Sequence, residues 1–150
     1  MIEPIHLAFE VDCPVEHAFH VWTAKISQWW PLDHTVSAQA GLMVVLEGRP
    51  GGRIFERQPG GIEHDWGEVT TWEPPTRLGY TWHLNRDRSN ATQVEIRFIA
   101  RGLTGTTVEI EHRGWESLGA EGKDWRDRNR GGWATLLPLY VAAAALAPIP

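Results

Sequence analysis

The spacing of apolar residues changes period once along this chain, and that change sets the outline of the fold. In "RLGYTWHL", Leu78, Tyr80, Trp82 and Leu84 alternate with Gly79, Thr81 and His83, the period of a strand with one buried face. Val94, Ile96, Phe98 and Ala100 repeat the alternation, and "TTVEIEH" puts Thr106, Val108, Ile110 and His112 on one side. The connections "PPT", "NRDRSNA" and "GLTG" are short and turn-prone, so these strands form an antiparallel meander with one apolar face. The period then becomes helical. Trp125, Gly132, Trp133, Leu136, Leu137, Tyr140, Val141 and Ala144 fit a 3.6-residue repeat over about five turns, so a long C-terminal helix covers the sheet.

The remaining segments fill in the order. "IHLAFEV" alternates Ile5, Leu7, Phe9 and Val11 as a first strand. Pro14 suits a helix start, and Val15, Ala18, Phe19 and Trp22 follow at helical spacing; Ile26, Trp29 and Trp30 make a second short helix that Pro31 ends. Residues 33–41 lack periodicity, and "LMVVLEG" reads as a short strand before a Gly/Pro turn. Strands are expected near 5–11, 52–57, 63–73, 77–84, 93–101 and 105–112, with the helix from about Lys123 to Ala145. Gly131, Gly132 and Pro138 predict a bend or late start in that helix, since an interior proline costs about 3 kcal/mol. Gly132 is expected to let the helix backbone approach the sheet or a ligand too closely for a Cβ.

Nine tryptophans in 150 residues need a physical reason: they either fill a core or wall a cavity for a flat apolar ligand. Alternation turns Trp82 inward. For Trp66 and Trp72 it gives the same parity but no side, Gly67 could mark a bulge that flips it, and we expect at least one of the two near the rim or outside. The net charge of −5 offers no field for phosphate backbones, so nucleic acid is not an expected partner. Cys13 is the only cysteine and "MIEPIHLAFEVD" has no basic-then-apolar leader pattern, which favours the reducing cytosol. "WATLLPLYVAAAALAPIP" is broken by Pro138 and Pro148 and is too weak for a membrane span. Nothing suggests a second domain, so residues 1–150 are read as one.

The motifs "FEVDCPVEHAFHVWT", "WWP", "PGGRIFE", "WGEVTTWEPPTRLGYTW", "VEIEHRGW" and "GGWATLL" occur in the order of the SRPBCC (START-like) superfamily. Within it the chain is most similar to the branch named after the activator of the heat-shock chaperone ATPase, from about Ile5 to Ala145. The resemblance implies an α+β helix-grip fold: a curved antiparallel sheet wrapped around a long C-terminal helix, two short helices after the first strand, and a deep cavity between sheet and helix. This scaffold hosts lipid carriers, receptors, polyketide cyclases and cochaperone domains, so it does not by itself choose among them.

Three functional readings follow. The first is a binder that encloses a small hydrophobic or aromatic molecule between Leu78, Tyr80, Trp82, Ile96, Phe98, Ile110 and His112 on the sheet and Trp133, Leu136, Leu137 and Tyr140 on the helix. The second is a cyclase- or aromatase-type enzyme using Glu56, His112 and Tyr140, with Arg53 a further candidate, for acid–base work. Against it, His112 is expected to satisfy a strand-end carbonyl and Glu56 to pair with a surface arginine. The third is a protein-interaction module resembling the chaperone activator, with a protein partner docked on its surface. No His-x-x-x-His or Cys-x-x-Cys spacing occurs, so no metal is expected, and no motif implies a cofactor. "KDWRDRNR" reads as a solvated helix face.

Overall fold

A computed structural model describes residues 2–145; Pro148, read above as interrupting the last apolar segment, lies outside the described residues. Strand β1 (Ile5–Val11) leads into α1 (Val15–Thr23) and α2 (Ile26–Trp29), followed by β2 (Met43–Leu46), β3 (Arg53–Arg57), β4 (Glu63–Glu73), β5 (Arg77–Trp82), β6 (Thr92–Arg101), β7 (Gly105–Arg113) and α3 (Gly122–Ala144). The sheet order is β1-β7-β6-β5-β4-β3-β2, antiparallel throughout, so β2 to β7 form a meander and β1 closes onto its last strand. This is the α+β helix-grip arrangement, with a curved sheet holding α3. Strand β5 stops at Trp82, two residues before the expected end, because the chain turns through Asn85 at φ 61°.

Two bulges in β4 explain why alternation left its tryptophans undecided. Ile54 pairs with Gly67 and Phe55 with Asp65, so Trp66 is an extra residue; Val69 pairs with Tyr80 and Thr71 with Gly79, so Thr70 is another. Each extra residue shifts the pleat by one and steepens the local twist. Trp66, Val69 and Trp72 therefore share the concave side at intervals of three residues rather than two. Trp66 is fully buried, whereas Trp72 is half-buried at the edge, in an edge-to-face contact with Phe19 at 5.1 Å.

The grip interior is filled mainly by aromatic rings. Trp22 on α1 is wholly buried, with ring centroids 5.2 Å from Trp29, 6.4 Å from Phe98, 6.1 Å from Trp133 and 4.7 Å from Tyr140. One side chain thus joins both short helices, the sheet and α3.

Helix α3 starts at Gly122 and runs to Ala144 through Gly131, Gly132 and Pro138, so the late start expected from those residues does not occur. Burial outweighs propensity here. Trp133, Leu136 and Tyr140 are buried. At about 1.5–3 kcal/mol each, they match or exceed losses of about 1 kcal/mol per glycine and about 3 for the proline. The expectation for Gly132 is also corrected: a Cβ there would meet only His34, its Cε1 at 3.9 Å, because the helix stands off from its neighbours at this turn.

Close approach instead governs Gly67, where a methyl would overlap the Thr81 carbonyl oxygen across β4 and β5. Gly67→Ala must widen the ladder at the bulge that turns Trp66 inward. It should destabilise the protein by about 1–3 kcal/mol, the range for an overpacked site, in urea unfolding. An unchanged midpoint would show that this contact does not pin the bulge.

Candidate functional site

The three proposed acid–base residues are separate structural anchors. Glu56 is fully buried, and its carboxylate accepts from the backbone N–H of Val36 (2.6 Å) and Ser37 (3.0 Å), the Ser37 hydroxyl (2.8 Å) and the Trp66 indole (2.8 Å). Burial pushes its pKa up, but these four donors outweigh it and leave the carboxyl below its ordinary value. The expected surface arginine is not its partner: Arg53 pairs with Glu63 and Asp65 on the outer side of the sheet.

His112 is also fully buried and does not bond a strand-end carbonyl. One ring nitrogen, Nε2, lies 2.7 Å from the Thr92 hydroxyl, and Nδ1 accepts from the Trp133 indole at 3.1 Å. Because Nδ1 accepts, the ring is neutral and Nε2 carries the proton that Thr92 receives. Burial, helped by the charge of Arg86, pulls its pKa down to about 3. The Tyr140 hydroxyl donates to the Ala18 carbonyl at 2.8 Å, and burial raises its pKa. No hydrogen bond joins any two of Glu56, His112 and Tyr140. Burial of the polar partners decided these roles, and no sequence signal marked Trp66, Thr92 or Ala18 as those partners.

Of the expected ligand-contacting residues, Leu78, Tyr80, Ile96, Phe98 and Ile110 are packed in the core, and Leu137 is half-buried against it. Trp82, Trp133 and Leu136 come together at an opening of about 350 Å³ between the start of α3, the end of β5 and the segment after α2. Trp30 and Trp125 complete its walls, and Asp33, His34, Arg128 and Asn129 stand at its rim. Trp30 is placed by its indole bond to the His34 carbonyl (2.9 Å) and by ring contacts with Trp66 (5.2 Å) and Trp82 (5.7 Å). Trp125 carries two guanidinium groups, with Arg128 Cζ 4.5 Å and Arg86 Cζ 5.1 Å from its ring centre.

Sequence reasoning passed over Trp30, His34, Arg128 and Asn129. The "WWP" motif held the first, and "KDWRDRNR", taken as a solvated face, held the last two. A larger apolar groove, about 500 Å³, lies outside α1 between Phe19, Leu46, Trp72 and Pro75. The smaller opening is the better candidate because aromatic walls and several polar groups converge there. Among the described residues, no three His, Cys, Asp or Glu side chains converge as metal ligands would. No helix there is long and apolar enough to cross a membrane.

The buried neutral state of His112 has a pH signature. Its folded pKa is depressed, so its contribution is complete above the unfolded value of about 6.5 and is lost as the pH falls from there toward 3. Between pH 7 and 5 this group should remove about 2 kcal/mol of stability, through protonation of the unfolded chain. His112→Gln should be less stable at pH 7 yet lose about 2 kcal/mol less over that interval, read by urea unfolding at both pH values.

Comparison with known proteins agrees with this architecture. No curated protein matches the sequence. The family model described as "Activator of Hsp90 ATPase homolog 1-like protein" matches residues 12–138. Among solved structures, the chain is similar to the anthrahydroquino-gamma-pyrone synthase Txn09 complexed with SUM, at 32% identity, 82% of this chain, 84% of that one and a TM-score of 0.59. Protein MLL2253 from Mesorhizobium loti shares the fold at 18% identity and a TM-score of 0.70, over 98% of this chain and 100% of that one. So does the self-sacrificing resistance protein CalC from Micromonospora echinospora, at 22% identity and a TM-score of 0.66, over 95% and 92%. With the family model covering most of the chain and the helix-grip fold in place, this protein belongs to the family of Activator of Hsp90 ATPase homolog 1-like proteins, within the SRPBCC superfamily.

Proposed function

We propose that this protein binds a planar aromatic small molecule at the mouth of the grip. The observation that carries the reading is the group of four indoles, Trp30, Trp82, Trp125 and Trp133, around one opening of about 350 Å³. Broad rigid rings give a flat ligand large contact area at little entropic cost, and the rim groups give it orientation. The ligand sits at the entrance because Trp22, Trp66, Phe98 and Tyr140 occupy the deeper space. The single buried Cys13 fits action in a reducing cytosol.

Catalysis is a second reading, favoured by the 32% identity to a protein named as an anthrahydroquino-gamma-pyrone synthase. If the chain catalyses a related reaction, its proton-transfer group is at the rim, since Glu56, His112 and Tyr140 spend their polar atoms on the core.

A neutral flat probe, 7-methoxycoumarin, should quench tryptophan emission saturably and raise the melting temperature by mass action. Gly132→Ala separates site from fold. The added methyl meets His34 at ordinary contact distance and points into the opening, so the variant should gain up to about 1 kcal/mol of stability yet bind the probe more weakly. Unchanged affinity in that variant would move the ligand away from the mouth.

A further inference from the structure

The rim carries a guanidinium, Arg128, with which the Asp33 carboxylate lining the same opening forms no ion pair. Exposed Arg128 and half-buried Arg86 both contact the Trp125 ring, and neither forms an ion pair among the described residues, whereas Arg53, Arg57, Arg77 and Arg113 on the sheet all do. Arg86 bonds only uncharged oxygens: the Trp82 and Asn90 carbonyls and the Thr92 hydroxyl. Its Nε finds no partner among the described residues. In a chain of net charge −5, an unpaired guanidinium lining an aromatic opening, with a second behind it against the Trp125 ring, marks a place for a negative group.

A group that can take a proton stands across the same opening. The His34 backbone is held by the Trp30 indole on its carbonyl, and its ring is three-quarters covered. The Nδ1–Cε1 edge faces Gly132, where the missing Cβ leaves it open, and Nε2 points toward Asp33, 4.0 Å from Oδ1. The titratable and charged groups lining the opening are Asp33 beside the ring and Arg128 from α3.

We propose that the mouth takes a hydroxylated planar aromatic ligand as its phenolate, with His34 accepting the phenolic proton and Arg128 holding the resulting charge. The inference rests on the binding reading above and names the ligand class for that site. In the step, the phenol O–H bond breaks with its electron pair left on oxygen, and the proton forms an N–H bond at His34 Nδ1. Nothing is oxidised or reduced. The imidazolium so formed is balanced by the Asp33 carboxylate on its other side, and the phenolate lies against Arg128 and the more distant field of Arg86. An imidazole suits the role because it can both take and return a proton.

The test uses 7-hydroxycoumarin, whose phenol and phenolate absorb at different wavelengths, beside 7-methoxycoumarin, which has the same plane and no ionisable proton. Each is titrated into the wild type, His34→Gln and Arg128→Gln. Both replaced side chains are at least partly exposed, and melting curves check that the variants fold. In the wild type the pKa of bound 7-hydroxycoumarin should fall by about 1–3 units relative to the free dye. Each variant should remove most of that shift, and should weaken 7-methoxycoumarin binding less than it weakens 7-hydroxycoumarin binding. A bound dye that titrates like the free dye, or a shift that survives in both variants, overturns the proposal and leaves the binding reading intact. If neither coumarin quenches tryptophan emission, the binding reading fails and this proposal fails with it.

Discussion

The buried carboxylate of Glu56 is the constraint on which the site depends. A charge without solvent is costly unless its lone pairs are filled, and four donors from two places in the chain fill them. Trp66 can donate only because the β4 bulge turns it inward, and Val36 and Ser37 can donate only because the segment after α2 folds over the sheet. That segment is tied further by the Thr35 hydroxyl, which donates to the Leu32 carbonyl at 2.6 Å and accepts from Ala38 N–H at 2.9 Å. His34 and Asp33 hold their place at the rim because one buried charge orders the residues that follow them.

Hydrophobic packing decides where a ligand has room. Of the eleven strand and helix positions read as cavity lining, all but the half-buried Leu137 are buried, but the space between them is taken by Trp22, which meets Trp29, Phe98, Trp133 and Tyr140. Close-packed rings of this kind leave few voids. The opening therefore survives only where α3 carries Gly131 and Gly132 and stands away from the segment around His34. Polar groups stand at the rim of that opening and aromatic rings fill the space below it.

How legible each feature was follows from how local its cause is. Strands β5, β6 and β7 were readable because alternation reports one residue's face from its neighbours, and the α3 stripe was readable for the same reason. Trp66 and Trp72 were not, because two inserted residues, each defined only by its partner strand, reset the parity between them. His112 was found as inward but given the wrong bond, since Thr92 and Trp133 lie 20 and 21 residues away in sequence. Arg128 looked like an ordinary surface charge: its i,i+3 spacing lets it stack on Trp125, but nothing local says that Arg86 joins it on that ring or that no carboxylate pairs with it.

The sequence alone determined the order of elements, the inward faces of the regular strands, the covering helix and the superfamily, because each is written in periodicity or in contiguous motifs. Only the tertiary structure decided that Glu56, His112 and Tyr140 serve the core, that the cavity is reduced to its mouth, and that Trp30, His34, Trp125 and Arg128 meet there. Those outcomes depend on which buried polar groups find partners and which volumes are filled, and both are settled between segments far apart in the chain.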